Sequence, residues 1–377
     1  MKTALIFDCY DDYNIRIQYI KAAMERAGYA VHVFFSDFDH YSKQYVTKKR
    51  DGIEYLHAKE YQKNLSYSRI QSHLQFAKTC VKKAEEYSNI SLIYVMVPPN
   101  SLCKEFAAYK QRHPAVKLIY DLCDMWPESL PVGNTAKVLG TPVFTVWRND
   151  RNQYIGTADC VLSECNLFAD KIRQYVPEQK LHTVYLCQEY HESNSSSGND
   201  QISFLYMGSM NNIMNIELIV KVLYEMNQKT KAVLHIVGDG EKKAELLQQV
   251  QQIGVEIFDH GVVYDETKKQ EIYSQCQYGL NLMVDSVFIG LTMKSLDYMS
   301  YGLPLINNIK GDTWNFVENN RTGINIVNGK EKEAADKIVE VTKLHYNQYH
   351  ENTIALFHTV FETNIIENQL DKILEDL

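Results

Sequence analysis

The densest run of chemically capable residues is Asp285–Asn308, DSVFIGLTMKSLDYMSYGLPLINN. Its spacing predicts a loop, a helix from about Thr292, and a buried strand led by Leu303–Ile306. Thr292 is a natural N-cap, and Gly302 a natural helix stop. A helix opening from a loop after a strand leaves N–H groups unpaired, and its dipole favours an anion there. Lys294 in the first turn opposes that dipole but suits a bound phosphate. Asp297 lies one turn further on, on the same face as Lys294. The chemistry this arrangement suits is holding the diphosphate and ribose of a nucleotide-linked substrate.

A second acidic set stands in DLCDMWPESL, where Asp121 ends the apolar strand Val116–Asp121 and Asp124 and Glu128 follow it. Open α/β sheets place their chemistry in loops after strand C-termini. These carboxylates are therefore acid–base or hydroxyl-binding candidates, with helix capping and loop hydrogen bonding as the structural alternative.

The elements that must position both sets read as two successive α/β halves. The first opens with a strand at Thr3–Asp8, a helix carrying Ile17, Ile20, Met24 and Ala27, and a strand at Val31–Phe35. Its loop at Cys9–Asn14 lacks GxGxxG, which argues against a dinucleotide cofactor there. Strands at Ser91–Pro98, Val116–Asp121, Ala158–Cys165 and Leu181–Cys187 complete this half. Glu189–Gln201, serine-rich and aperiodic, reads as a linker. The second half restarts at Ile202–Met207 and runs through Ala232–Val237, Val255–Phe258, Tyr278–Val284 and Gly323–Val327. The predicted layout is an α/β chain of two Rossmann-like domains facing a cleft: 1–188, a linker 189–201, 202–350, and a closing helix 351–377 that crosses back to the first domain.

Composition narrows the function. A chain of 377 residues suits two domains, each able to bury a core. The formal charge of −8 argues against general nucleic-acid binding, and no apolar run is long enough to span a bilayer. The N-terminal MKTALIFDCYDDYN reads as a first strand and not a signal peptide. Eight scattered cysteines without CxxC spacing predict buried free thiols in a reducing cytosol. The stretch 41–87 is rich in Lys, Arg and Tyr, and its predicted helix places Ile70, Leu74, Ala77 and Val81 on one face. That helix reads as an ordinary amphipathic surface helix or as a basic face resting on anionic lipid, through Lys78, Lys82 and Lys83.

Four motifs in order give the second half a family likeness: FLYMGS (Phe204–Ser209), LHIVGDG (Leu234–Gly240), FDHGVVYDE (Phe258–Glu266) and KSLDYMSYGLPLI (Lys294–Ile306). It resembles retaining glycosyltransferases of the two-Rossmann-domain GT-B fold, specifically family 4; DLCDMWPESL is the best point of likeness in the first half. The resemblance implies a nucleoside-diphosphate-sugar donor, UDP-linked, held mainly by the second domain. It implies that Gly208 and Ser209 admit the diphosphate, and that Asp239 and Gly240 line the donor side. The loop His260–Tyr264 would receive the base, Gly290, Leu291 and Thr292 would offer N–H groups, and Asp297 would accept from the ribose. Retention of anomeric configuration is implied as well. No DxD-type metal motif stands in a matching context, so metal-free action without a cofactor is expected.

Two departures matter. Ile289 stands where the family carries the first Glu of its pair, and Gly208-Ser209-Met210-Asn211-Asn212 lacks the usual Arg/Lys pair. Lys294 is the remaining cation, and hence the catalytic candidate with Asp124, which would orient or deprotonate the acceptor. Asp121, Trp126 and Glu128 are placed on the acceptor side. The acceptor expected by analogy is a glycan or lipid-linked glycan of bacterial cell-surface synthesis, at the cytoplasmic face of the membrane. A sugar-nucleotide epimerase of the same fold and a non-catalytic glycosyltransferase-like subunit remain the alternatives.

Overall fold

The computed structural model describes residues 2–10, 14–64, 66–130, 134–192 and 201–377. The expected linker therefore lies mostly outside the described residues, as does the middle of the polar loop after the first strand. The chain divides into two compact units, Met1–Tyr185 with Ile366–Leu377, and Leu186–Ile365.

Near-continuous apolar runs bounded by polar loops make strands buried on both faces, the pattern of parallel sheets. In the first unit these are β1 (Lys2–Asp8), β2 (Tyr29–Ser36), a small hairpin of β3 (Phe38–Asp39) and β4 (Gln44–Tyr45), then β5 (Ile53–Leu56), β6 (Ile90–Val97), β7 (Lys117–Leu122), β8 (Cys160–Ser163) and β9 (Leu181–Thr183). All but the hairpin form one parallel sheet in the order β5-β2-β1-β6-β7-β8-β9. The second unit holds β10 (Gln201–Met207), β11 (Lys231–Val237), β12 (Glu256–Asp259), β13 (Tyr278–Asn281), β14 (Leu305–Asn307) and β15 (Gly323–Asn325). They form a parallel sheet in the order β12-β11-β10-β13-β14-β15. In each sheet the order reverses beside the unit's first strand, so each has a switch point where ligands bind such folds: the C-terminal ends of β1 and β6, and of β10 and β13.

Several expectations need correction. The helix Tyr67–Glu85 buries Arg69, His73, Phe76, Ala77, Cys80 and Ala84, and leaves Leu74 37% exposed. Its inward face is set by Arg69 and His73, whose polar groups find aromatic partners inside; apolarity alone did not decide it. The stretch 351–377 spans the end of one helix, Tyr346–Val360, and the whole of another, Thr363–Glu375. Within the latter, Glu367 and Asp371 pair with Arg26, and Gln369 donates to the Thr183 carbonyl at 2.8 Å, which ties this end of the chain to the first unit. All eight cysteines are buried, as expected.

Candidate functional site

In the second unit the expected helix runs Met293–Ser300, with Thr292 as its N-cap accepting from the Ser295 amide at 3.0 Å. Among the described residues no acceptor takes the N–H groups of Gly290, Leu291 or Met293. The loop before the helix is braced from behind, because the Thr313 amide and hydroxyl both donate to the Gly290 carbonyl, at 2.9 and 2.7 Å.

Beneath the helix lies a polar lattice that sequence reasoning missed. Asn281, Asn307 and Asn325 are paired in register across three neighbouring strands. Asn281 donates to Asn307 at 3.0 Å and to the Ser295 hydroxyl at 2.9 Å, and Asn307 donates to Asn325 at 2.8 Å. The Thr292 hydroxyl bonds both Asn281 and Ser295. Buried amides are tolerated only when so satisfied, and a satisfied network rigidifies what it touches. The available signal was an asparagine closing each of three apolar strands, in GLN, LIN and GIN.

Lys294 is half-buried, and its aliphatic stem lies on Gly208, where a Cβ would meet Lys294 Cε at 3.1 Å. Its Nζ donates to the Tyr206 hydroxyl and sits 4.3 Å from that ring's centroid. No carboxylate among the described residues pairs with it, and burial lowers its pKa from the usual lysine range to about 8. The structure thus brings Gly208 and Lys294 together at the C-terminal end of β10, beside the switch point.

Gly238 and Gly240 have a structural reason that their motif did not disclose. A Cβ on Gly238 would stand 2.2 Å from the Gly208 carbonyl oxygen, and one on Gly240 would stand 2.3 Å from that of Met210. The loops after β10 and β11 are zipped together by Met210 N–H to Asp239 O at 3.0 Å and Lys242 N–H to Met210 O at 3.0 Å. The Asp239 side chain remains exposed, bonded to the Gly240 amide, and the Ser209 carbonyl accepts from the Tyr206 hydroxyl at 3.1 Å.

His260 bonds His235 across 3.1 Å, and both rings stack in line with Phe258. Burial depresses both histidines, His235 to about 4, so His235 is neutral at pH 7. Tyr264, on the same loop, is 87% exposed. Asp297 accepts from Gln188 Nε2 at 2.6 Å, and burial pushes its carboxyl above the usual range. Ile289 is half-buried before the helix and carries no polar group toward a ligand.

In the first unit the acidic candidates are largely committed to structure. Asp121 is fully buried, gripped by Arg16 at 2.7 and 2.9 Å and by the Tyr94 hydroxyl. Glu128 pairs with Arg148 and Arg151, each at 3.0 Å, which pins the helix Asn134–Asn152 to its loop. Both carboxylates are engaged in these ion pairs. Trp126 lies under Arg69, whose Cζ is 4.1 Å from the ring, and stacks with His73.

Asp124 accepts from the Met125 amide at 2.7 Å, Trp126 Nε1 at 2.6 Å and the Ser129 hydroxyl. Burial raises its pKa against the pull of those donors. Asp124→Asn should therefore loosen the 125–129 turn by about 1–3 kcal/mol, as a reversed amide faces donors. Amide exchange at Met125 and Ser129 measures the loosening; full protection together with lost turnover would favour a catalytic role instead. Glu164, after β8, was not singled out from sequence, and burial raises its carboxyl to about 8, near the pH at which a general acid or base is useful.

Comparison with known proteins places these observations. Residues 201–343 match the family model described as Glycosyl transferases group 1. No curated protein sequence matches the chain. Among solved structures, Anabaena Alr3699/HepE in complex with UDP and glucose is similar over 100% of both chains at 16% identity, TM-score 0.67. The lipopolysaccharide outer core galactosyltransferase WaaB in its apo form is similar over 100% of both chains at 15% identity, TM-score 0.69. Sucrose-phosphate synthase from Thermosynechococcus elongatus aligns over 100% of this chain and 99% of its own at 14% identity, TM-score 0.70. The fold is GT-B, with one large parallel sheet in each unit. The sequence likeness to glycosyl transferases group 1 lies in the segment 201–343, within the second unit.

Proposed function

We propose that this enzyme transfers a sugar from a UDP-linked donor to a glycan or lipid-linked acceptor, with retention of configuration and without a metal or cofactor. The observation that carries the donor reading is Lys294: a half-buried ammonium, unpaired with any described carboxylate, beside a helix whose first N–H groups are free. A leaving diphosphate gains negative charge as its bond to the anomeric carbon breaks. A fixed cation and fixed dipoles stabilise that charge without reorganising. In this reading Gly208 and Ser209 admit the diphosphate, and Gly290, Leu291 and Thr292 donate to it. Tyr264 and His260 receive the base, Asp297 holds the ribose, and Asp239 and Gly240 border the donor.

The family reading extends this to family 4 and to bacterial cell-surface polysaccharide synthesis at the inner face of the membrane. No helix is long and apolar enough to cross a membrane. Peripheral contact through 41–87 draws support from Tyr41 and Tyr67, 74% and 73% exposed, with Lys48, Lys49, Lys78 and Lys82 also exposed. Lys83 is not part of that face, since Glu54 and Glu86 hold it.

One observation favours a second reading: Ile289 offers no carboxylate to the donor sugar, as in a subunit that binds without turning over. Calorimetry with UDP-, GDP- and dTDP-sugars separates the two. We expect binding of a UDP-sugar, acceptor-dependent release of UDP, and no loss of activity in EDTA. Absence of binding to every nucleotide sugar points to the non-catalytic subunit, and sugar conversion without an acceptor to an epimerase.

A further inference from the structure

Lys294 and Asp297 carry opposite charges three residues apart on the helix Met293–Ser300. At that spacing such side chains ordinarily close on each other. Here each turns to a neutral partner instead: the Lys294 ammonium donates to the Tyr206 hydroxyl, and Asp297 Oδ1 accepts from Gln188 Nε2 at 2.6 Å. Both residues are half-buried, so an ion pair between them would be screened less than one on the surface. Asp297 Oδ2 accepts from no described residue and stays open to solvent.

Gln188 reaches the carboxylate from a fixed origin. Its backbone N–H donates to the Phe361 carbonyl at 3.2 Å, in a parallel bridge to Glu362. Three residues on, the His191 N–H donates to the Ser300 carbonyl at 2.9 Å, and its ring stacks on Tyr301 with centroids 4.5 Å apart. Both anchors lie in the second unit, to which Gln188 belongs. The other charged groups about Asp297 are engaged elsewhere: Glu266 pairs with Lys269 at 2.6 Å and accepts from the Tyr301 hydroxyl at 3.0 Å. Among the described residues, Gln188 is the one side chain that hydrogen-bonds the Asp297 carboxylate.

We propose that Gln188 is a positioning residue of the donor site: it holds Asp297 away from Lys294, so that the carboxylate meets the vicinal hydroxyls of a ribose while the ammonium meets a diphosphate. An amide suits this task. One N–H fixes the direction of the carboxylate and leaves its charge in place, whereas a lysine or arginine there would cancel it. Without the amide, Asp297 is free to swing back one turn onto Lys294, and the two ligand-binding charges neutralise each other. The inference rests on the donor reading above, and adds to it the residue that keeps its two charges apart.

Gln188→Met keeps the length of the side chain and removes the amide. UDP and 2′,3′-dideoxy-UDP are titrated calorimetrically into the full-length wild type and the variant across neutral and alkaline pH. The wild type should prefer UDP by about tenfold or more, the worth of hydrogen bonds to a carboxylate. In Gln188→Met that preference should shrink to about threefold or less as those bonds are lost. The alkaline fall of UDP affinity, which sets in above about 8 in the wild type, should move to higher pH, because a paired carboxylate favours the charged lysine. On an Asp297→Asn background the same substitution should leave the preference unchanged within about twofold, since Gln188 acts only through the carboxylate. An undiminished preference or an unmoved pH profile in Gln188→Met overturns the proposal. No UDP binding by the wild type fails the donor reading and this proposal with it. A wild type that binds UDP and its dideoxy analogue alike fails the ribose role of Asp297, and the role of Gln188 that depends on it.

Discussion

Lys294→Met should lower turnover by about 10²–10³-fold, the usual cost of removing one fixed stabiliser of developing negative charge. The apoenzyme should be as stable as the wild type or more so. Methionine keeps the stem that packs on Gly208 and removes an ammonium that folding desolvates without a compensating carboxylate. Loss of activity with retained or improved stability is the signature of a group placed for a ligand. A large drop in stability would instead make Lys294 part of the fold, through its contact with Tyr206.

The depressed lysine also sets a pH dependence. Its folded pKa of about 8 lies below the ordinary lysine value of 10.5, so the unfolded chain binds more protons between those values. Wild-type stability therefore rises with pH across that window, relative to Lys294→Met, and the difference between the two proteins closes. Binding runs the other way. A diphosphate selects the charged lysine, so UDP affinity in the wild type should fall as pH rises above about 8, and the fall should be absent in the variant. Calorimetric titration of UDP from pH 7 to 9.5 on both proteins measures this. Parallel curves would remove Lys294 from the diphosphate site.

The second large effect concerns stability alone. Breaking the buried Arg16–Asp121 pair from one side, by Arg16→Met or Asp121→Leu, should cost about 3–5 kcal/mol, because the survivor is left charged and buried. The double variant should recover much of that loss, since it buries no charge at all. Arg16 also donates to the Val184 carbonyl at 2.9 Å, so the loss should spread from the helix Asn14–Arg26 and β7 to the end of the first sheet. Urea unfolding, with hydrogen exchange resolved by unit, reads the effect. Turnover per folded molecule should change little; a selective loss of turnover in folded Asp121→Leu would return Asp121 to the acceptor side.

These two residues show how much of the site was legible. The Thr292 cap, the helix it starts and the lysine in its first turn follow from local rules: an oxygen side chain that closes an amide, apolar spacing at 3.6 residues, a glycine that stops the helix. What Lys294 does there depends on Tyr206, 88 residues away in sequence. Asp121 reads as the last residue of a strand, at the edge of a loop suited to chemistry; it is the last but one residue of β7, with Arg16 from 105 residues upstream closing on it. No local pattern distinguishes a carboxylate that faces a ligand from one that meets a buried arginine.

The sequence by itself determined the alternation of buried parallel strands and helices, the caps, and the ordered motifs of the second half. Those depend on periodicity, backbone preference and short spacing, which a linear chain displays openly. Only the tertiary structure decided which polar residues turn inward. Arg69 and His73 face the core because Trp126 receives them, and three strand-end asparagines satisfy one another because their strands lie in register. Asn100 keeps one oxygen unpaired because two distant carbonyls hold its amide nitrogen. A polar group's fate is set by the partner that meets it, and folding chooses that partner across the whole chain.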